Sequence, residues 1–356
     1  MRKKAALYPF YPDTLPWVKR FNEMQNEYEL TCVMSPASVA VIGKDAAYAQ
    51  NLNDIGMNVS EYDLEVLKGY ETVIACKPKN EKINIDGHLT EVIESLTQSN
   101  VDVILLANEN DSLAMTHANR LKYRQNKQLS EIVKGMEAKH KKKTVPLLMA
   151  GGVITEAGTE DVIISLANQM SSRGVRAAVV SCNPYGGPFG YFNPSSILYS
   201  TTITEPEKIM KLNVYLRAIE ILTRPDVIIA EAPGAVMPYN DLTPNGYGIY
   251  AYIMCQAFQP DSFVLCTTYD MAKNALLEMF AEYTVSRFNA PIAAVHVSNA
   301  VVDGAELENK KVLTAGYINL RLVETFLEHH GKDSVIPITN VNTDDGLGLS
   351  SIILNR

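Results

Sequence analysis

In the first half of the chain, short apolar runs alternate with amphipathic stretches. Residues 5–10, 28–34, 72–76 and 101–106 read as strands, the last of them a buried one. Between them, residues 14–24 and 88–99 carry helical spacing. Pro16 is tolerable in a first turn, and Gly56 stops a helical end that begins near residue 51. Strands that alternate with crossover helices predict a parallel sheet covered on both faces.

From residue 130 to 144 the pattern dissolves around Gly135 and the basic run Lys139, His140, Lys141, Lys142 and Lys143. The expected division is therefore a Rossmann-like domain over 1–138, a basic linker over 139–144 and a second domain over 145–356. The linker reads as a solvated helix end or, less simply, as a polyanion patch. The second series runs strand 145–150, glycine-bounded loop 151–158, helix 161–171, strand 176–182, helix 205–222, strand 226–231, strand 262–267, helix 271–288 and strand 292–297. The fold class is α/β, with two domains that each carry a parallel sheet.

Composition narrows the function classes. The 356 residues are 47% hydrophobic and 20% charged, which is globular usage, and a net charge of −8 argues against a nucleic-acid or anionic-membrane partner. No apolar run is long enough to span a bilayer, and the opening Met1-Arg2-Lys3-Lys4 lacks an apolar signal core, so a cytoplasmic location is expected. Five cysteines form no C-x-x-C pair. Cys76, Cys182, Cys255 and Cys266 sit in apolar runs and read as reduced core residues. The six histidines show no metal-binding spacing, and no G-x-S-x-G announces a serine nucleophile.

The chemistry concentrates after residue 145. A strand leads into Gly151 and Gly152, then Gly158, Thr159 and Glu160 open a helix, a frame that delivers backbone N–H groups and a helix N-terminus to one point, as phosphate sites do. Set against G-x-x-x-x-G-K-[ST], Val153 stands at the first glycine, Thr159 at the lysine and Glu160 at the magnesium-binding hydroxyl. The missing lysine and the acidic pair Glu160 and Asp161 speak against a tightly held triphosphate. The same residues also read as a plain strand-to-helix turn with Thr159 as N-cap.

Downstream, Ile228, Ile229, Ala230 and Glu231 end a strand before Pro233 and Gly234, the placement by which a carboxylate meets nucleotide-bound magnesium. Loops 183–190, from Asn183, and 238–248 follow strands and are expected to converge on the same crevice, where their glycines and aromatics suit a flat or peptide-like ligand. His296 ends a strand there and reads either as crevice-facing or as a structural histidine. Near residue 43 a lone glycine makes a dinucleotide fingerprint weak.

Over residues 145–300 this pattern, with Glu231-Ala232-Pro233-Gly234, resembles the P-loop NTPase branch that holds dethiobiotin synthetase and cobyrinic-acid-type amidotransferases. The resemblance implies ATP or GTP with Mg²⁺, Glu231 as metal ligand or base, and a homodimer. The whole chain, with its opening Leu7-Tyr8-Pro9-Phe10-Tyr11-Pro12-Asp13, resembles the clostridial peptide-maturation-system proteins encoded beside radical-SAM maturases. That implies an accessory role in maturing ribosomally made peptides, with a precursor peptide or the maturase as partner. Open alternatives are an ATP- or GTP-dependent ligase, a coenzyme A-dependent acyltransferase, and a scaffold without catalysis.

Overall fold

The structure is a computed structural model. It describes residues 2–24, 27–78, 83–108, 111–117, 127–136, 139, 142–240, 243–273, 276–310, 313–330 and 334–355. His140 and Lys141 of the basic run, and Asp241 and Leu242 of the 238–248 loop, lie outside these residues.

Two compact units emerge, Met1–Arg124 with Asn183–Asn193, and Gln125–Cys182 with Pro194–Arg356. The first contains β1 (Lys3–Tyr8), α1 (Leu15–Arg20), β2 (Tyr28–Ser35), β3 (Val59–Glu61), α2 (Leu64–Lys68), β4 (Thr72–Cys76), α3 (Asp86–Gln98), β5 (Asp102–Leu106) and α4 (Ser112–Thr116). Its sheet has the order β3-β2-β1-β4-β5, every pair parallel, which is the order of the first five strands of a Rossmann-type sheet. Helical spacing in α3 buries Leu89, Val92, Ile93 and Leu96 against Val73, Ala75, Val103 and Leu105. Residues 183–193 join this unit through aromatic packing. Phe189 stacks on Trp17 with ring centroids 5.6 Å apart and meets Phe21 edge-on at 5.1 Å, while the Tyr185 hydroxyl donates to the Lys77 carbonyl at 2.6 Å.

The second unit contains α5 (Lys127–Gly135), β6 (Leu147–Gly152), α6 (Thr159–Ser172), β7 (Ala177–Val180), α7 (Ser195–Leu198), α8 (Glu205–Thr223), β8 (Val227–Ala235), α9 (Ile249–Phe258), β9 (Ser262–Thr267), α10 (Tyr269–Lys273), α11 (Leu277–Phe288) and β10 (Ile292–Val297). After these come β11 (Ala300–Val302), α12 (Gly304–Lys310), β12 (Ala315–Tyr317), α13 (Leu320–His330), β13 (Ile338–Thr339) and α14 (Leu347–Leu354). The main sheet runs β13-β10-β9-β6-β8-β7, parallel at every pair, and β11 with β12 makes a small antiparallel ribbon.

The β6-to-β7 connection moves toward one edge of the sheet, whereas the next three crossovers all move back toward the other edge. Right-handed crossovers therefore put α6 on one face, and α8, α9 and α11 on the other. This makes β6 the switch strand. Its helix leaves on one face while the helices of both neighbours, β8 and β9, leave on the opposite one. Ligands of open α/β sheets sit outside the carboxyl ends of the strands at such a point.

Several sequence readings need correction. Residues 127–135 form a helix where the pattern looked broken, and α5 belongs to the second unit and packs on α8. Residues 271–288 form two helices rather than one. Thr159 is the first helical residue of α6, and the cap is Gly158.

Candidate functional site

The glycine-bounded loop sits on the switch strand. Gly152 of β6 pairs with Cys266 of β9, and Cys266 with His296 of β10, so these three residues stand in one row across the sheet. Above the row the loop doubles back sharply. The Val153 N–H donates to the Cys266 carbonyl at 2.9 Å, and the Ala157 N–H donates to the Ile154 carbonyl at 3.3 Å. A Cβ on Gly152 would stand 2.4 Å from the Ile154 carbonyl oxygen, so only glycine allows this turn.

Gly158 closes the loop in the left-handed region with φ 84°, and α6 then begins with no side chain from its cap on the amides of the first turn. A Cβ at Gly158 would lie 2.8 Å from His296 Nε2. Of the two roles open to His296 from the sequence, the structure supports the structural one. The ring is fully buried, wedged under Gly158, with the Val341 N–H donating to Nδ1 at 3.4 Å. His296 is a packing residue of the loop, removed from bulk solvent.

The residues after Gly158 differ from a lysine-bearing loop in what they face. Thr159 is buried and hydrogen-bonds Cys266, whose thiol is nonetheless pushed up to about 12, chiefly by burial. Asp161 is buried in the first turn of α6 beside the same cysteine. Acidic side chains at positions 160 and 161 suit the positive end of the helix, and they oppose an anion there. The loop thus joins a glycine-capped helix start to acidic residues in its first turn, with threonine at the lysine position.

Glu231 lies one strand away. It pairs with Ala150 across the β6 and β8 ladder, near the carboxyl end of the sheet. The Ser181 hydroxyl donates to Glu231 Oε2 at 2.5 Å and the Cys182 N–H donates to the same oxygen at 3.1 Å, which aims the carboxylate toward the end of β7. Pro233 and Gly234 fall in a register irregularity of β8, where the pairing steps from Gly151 with Ala232 to Gly152 with Ala235 and Gly234 adopts φ 73°. Cys182 beside Glu231 is fully buried. Burial first, then the Glu231 charge, raises its thiol far above the range of a reactive thiolate, although Tyr199 opposes this by hydrogen bonding.

Gly151, Gly152, Gly158, Thr159, Glu160, Glu231, Pro233 and Gly234 all belong to the second unit, at the ends of β6 and β8. Asn183 belongs to the first unit. Its side-chain oxygen accepts the Tyr185 N–H at 2.9 Å and caps a short 3₁₀ turn. The polar contacts of Ser181 and the wedge of His296 were not drawn from the sequence, since neither residue stands in a motif. Among the described residues no group of three or more histidine, cysteine or acidic side chains is placed to hold a metal. A groove of about 830 Å³ opens at the amino ends of β6, β8 and β9, the end of the sheet opposite the glycine loop.

No family model matches the chain, and no curated protein matches it. Among solved structures, a DUF1611 family protein from Anabaena variabilis aligns over 100% of both chains with a TM-score of 0.61 at 10% identity, which shows a shared fold. The signal recognition particle receptor FtsY from Elizabethkingia anophelis aligns over 59% of this chain and 71% of its own, at 15% identity and a TM-score of 0.31. A nucleotide-binding protein in complex with ADP from Archaeoglobus fulgidus aligns over 64% and 91%, at 13% identity and a TM-score of 0.31. At those scores the last two carry no weight. No helix among the described residues is long and apolar enough to cross a membrane.

Proposed function

We propose that the second unit binds a phosphate-bearing ligand at the start of α6 and turns nucleotide over slowly or not at all. The observation that carries this reading is the position of the loop. A glycine-capped helix start, with Gly158 in the left-handed region, stands on the one strand whose helix leaves opposite to those of both neighbours. Helix amides and their dipole hold anionic oxygen there, whereas Thr159 in the lysine position offers no point charge to the outer phosphates.

A single carboxylate with a hydroxyl beside it fits Mg²⁺ only as an ion that keeps its waters and takes its other ligands from phosphate, so Glu231 would hold such an ion through water. ATP or GTP would supply an activated phosphoryl group. The chain's own residues bind and orient it, and Thr159 at the lysine position supplies no charge to drive its transfer quickly. The resemblance of the opening to peptide-maturation proteins makes an accessory role in that process our proposal for its setting, with a precursor peptide or a maturase as partner.

A thermal-shift panel of ATP, GTP, ADP, acetyl-coenzyme A and inorganic pyrophosphate, with and without magnesium, tests the reading, because a ligand of the native state alone raises apparent stability. At least one should stabilise the protein at millimolar concentration. Glu160→Lys should tighten binding several-fold by removing a repelling charge, and Glu231→Gln should remove the magnesium dependence. Stabilisation that ignores both substitutions would place the ligand elsewhere. Turnover at ordinary enzyme rates, lost in Glu231→Gln, would favour the ligase reading instead.

A further inference from the structure

The strands on either side of β6 send their loops over its carboxyl end, and between those loops is a second feature. A cavity of about 210 Å³ is bounded by Val153 of the glycine loop, by Met237 and Tyr239 after β8, and by Met271, Met279 and Phe280 after β9. It therefore adjoins the phosphate loop through Val153. Its lining side chains are apolar apart from that of Tyr239. The Asn245 side chain donates to the Val153 carbonyl at 3.1 Å and so ties the loop after β8 to the glycine loop.

Size and chemistry restrict the occupant. A dry apolar cavity of about 150 Å³ holds benzene, so this space takes one six-membered ring with a small substituent. Three methionines and a phenylalanine favour a flat aromatic ring, because thioether sulfur contacts ring edges well and unbranched methionine adapts its shape. A purine would have to pair its ring nitrogens and exocyclic groups against side chains that are mostly apolar, which disfavours it relative to a plain ring. Burial, and then the nearby Asp270 charge, raises the Tyr239 phenol above its ordinary range, so it stays a hydrogen-bond donor in the wall.

We propose that this cavity receives an unsubstituted or singly substituted benzene ring carried by the second unit's ligand. The inference deepens the phosphate reading by naming the apolar group bound next to it, and rests on that reading only for the identity of the neighbouring site. Met279 is half exposed at the cavity mouth, so it can be changed without disturbing the core.

The test is ligand-observed ¹⁹F NMR with 4-fluorobenzyl alcohol, which has a ring and no phosphate. The wild-type protein should broaden the fluorine signal at millimolar probe. Met279→Trp, which fills the mouth, and Met279→Glu, which charges it, should each restore a sharp line, while Glu160→Lys and Glu231→Gln should leave the broadening unchanged. Adenosine at the same concentration should not displace the probe. A sharp signal with wild-type protein, broadening that survives both Met279 variants, or displacement by adenosine would each overturn the proposal. If the ring binds and no phosphate compound stabilises the protein, the cavity stands and the phosphate reading falls.

Discussion

Gly158 is the residue on which most of the site depends. Its left-handed backbone costs an L-residue about 1–2 kcal/mol, and His296 leaves no room for a Cβ. Gly158→Ala should therefore destabilise the protein by about 2 kcal/mol or more in urea unfolding. Part of that cost is steric and belongs to the pair, so His296→Ala should cost less in the Gly158→Ala background than in the wild type. Additive free energies in that double-mutant cycle would contradict the wedge. The glycines were legible in the sequence because spacing exposes them. The histidine was not, because its role arises from strand register, which places His296 beside Cys266 and Cys266 beside Gly152.

At the scale of elements, α8 shows how a local signal becomes a stability term. Thr204 precedes the helix, and Glu207 accepts hydrogen bonds from both the Thr204 N–H at 2.8 Å and its hydroxyl at 2.9 Å. These bonds hold the Glu207 carboxyl below its ordinary range, the backbone bond foremost. A group whose folded pKa is depressed stabilises the protein above its unfolded pKa, and that contribution fades as pH falls through the folded value. Glu207→Gln should accordingly lower Tm at pH 7 and change it little near pH 3, and an equal loss at both values would refute the charge-assisted cap. Strands β4, β9 and β10 were readable as short apolar runs, and their ends match or nearly match the structure. Helix α9 escaped notice because it is apolar on nearly every position, which erases the helical period.

The whole molecule is two units whose chain segments interleave, with Asn183–Asn193 packed in the first unit and the residues on both sides of it in the second. The 1–138 and 145–356 division, drawn where the strand–helix pattern breaks at the basic run, does not show this, since a loop rich in glycine, proline and aromatics looks the same wherever it packs. The first unit should not complete its core without that segment. Fragment 1–124 should bind a synthetic 183–193 peptide and gain thermal stability from it, while a Phe189→Ala peptide should bind more weakly. In the full chain Phe189→Ala should cost about 2 kcal/mol, less than a fully buried phenylalanine because the ring is only partly covered. A fragment as stable alone as with the peptide would contradict the interleaved arrangement.

The central claim, a phosphate site on the switch strand, is tested most directly by following the backbone amides of ¹⁵N-labelled protein during titration with ATP and pyrophosphate. The largest shifts are expected at Gly158, Thr159 and Glu160, with smaller ones at Glu231 and Val153 when magnesium is present. Unchanged signals at residues 151–161, with either compound at millimolar concentration, would contradict it and leave the glycine loop as a strand-to-helix turn held by His296.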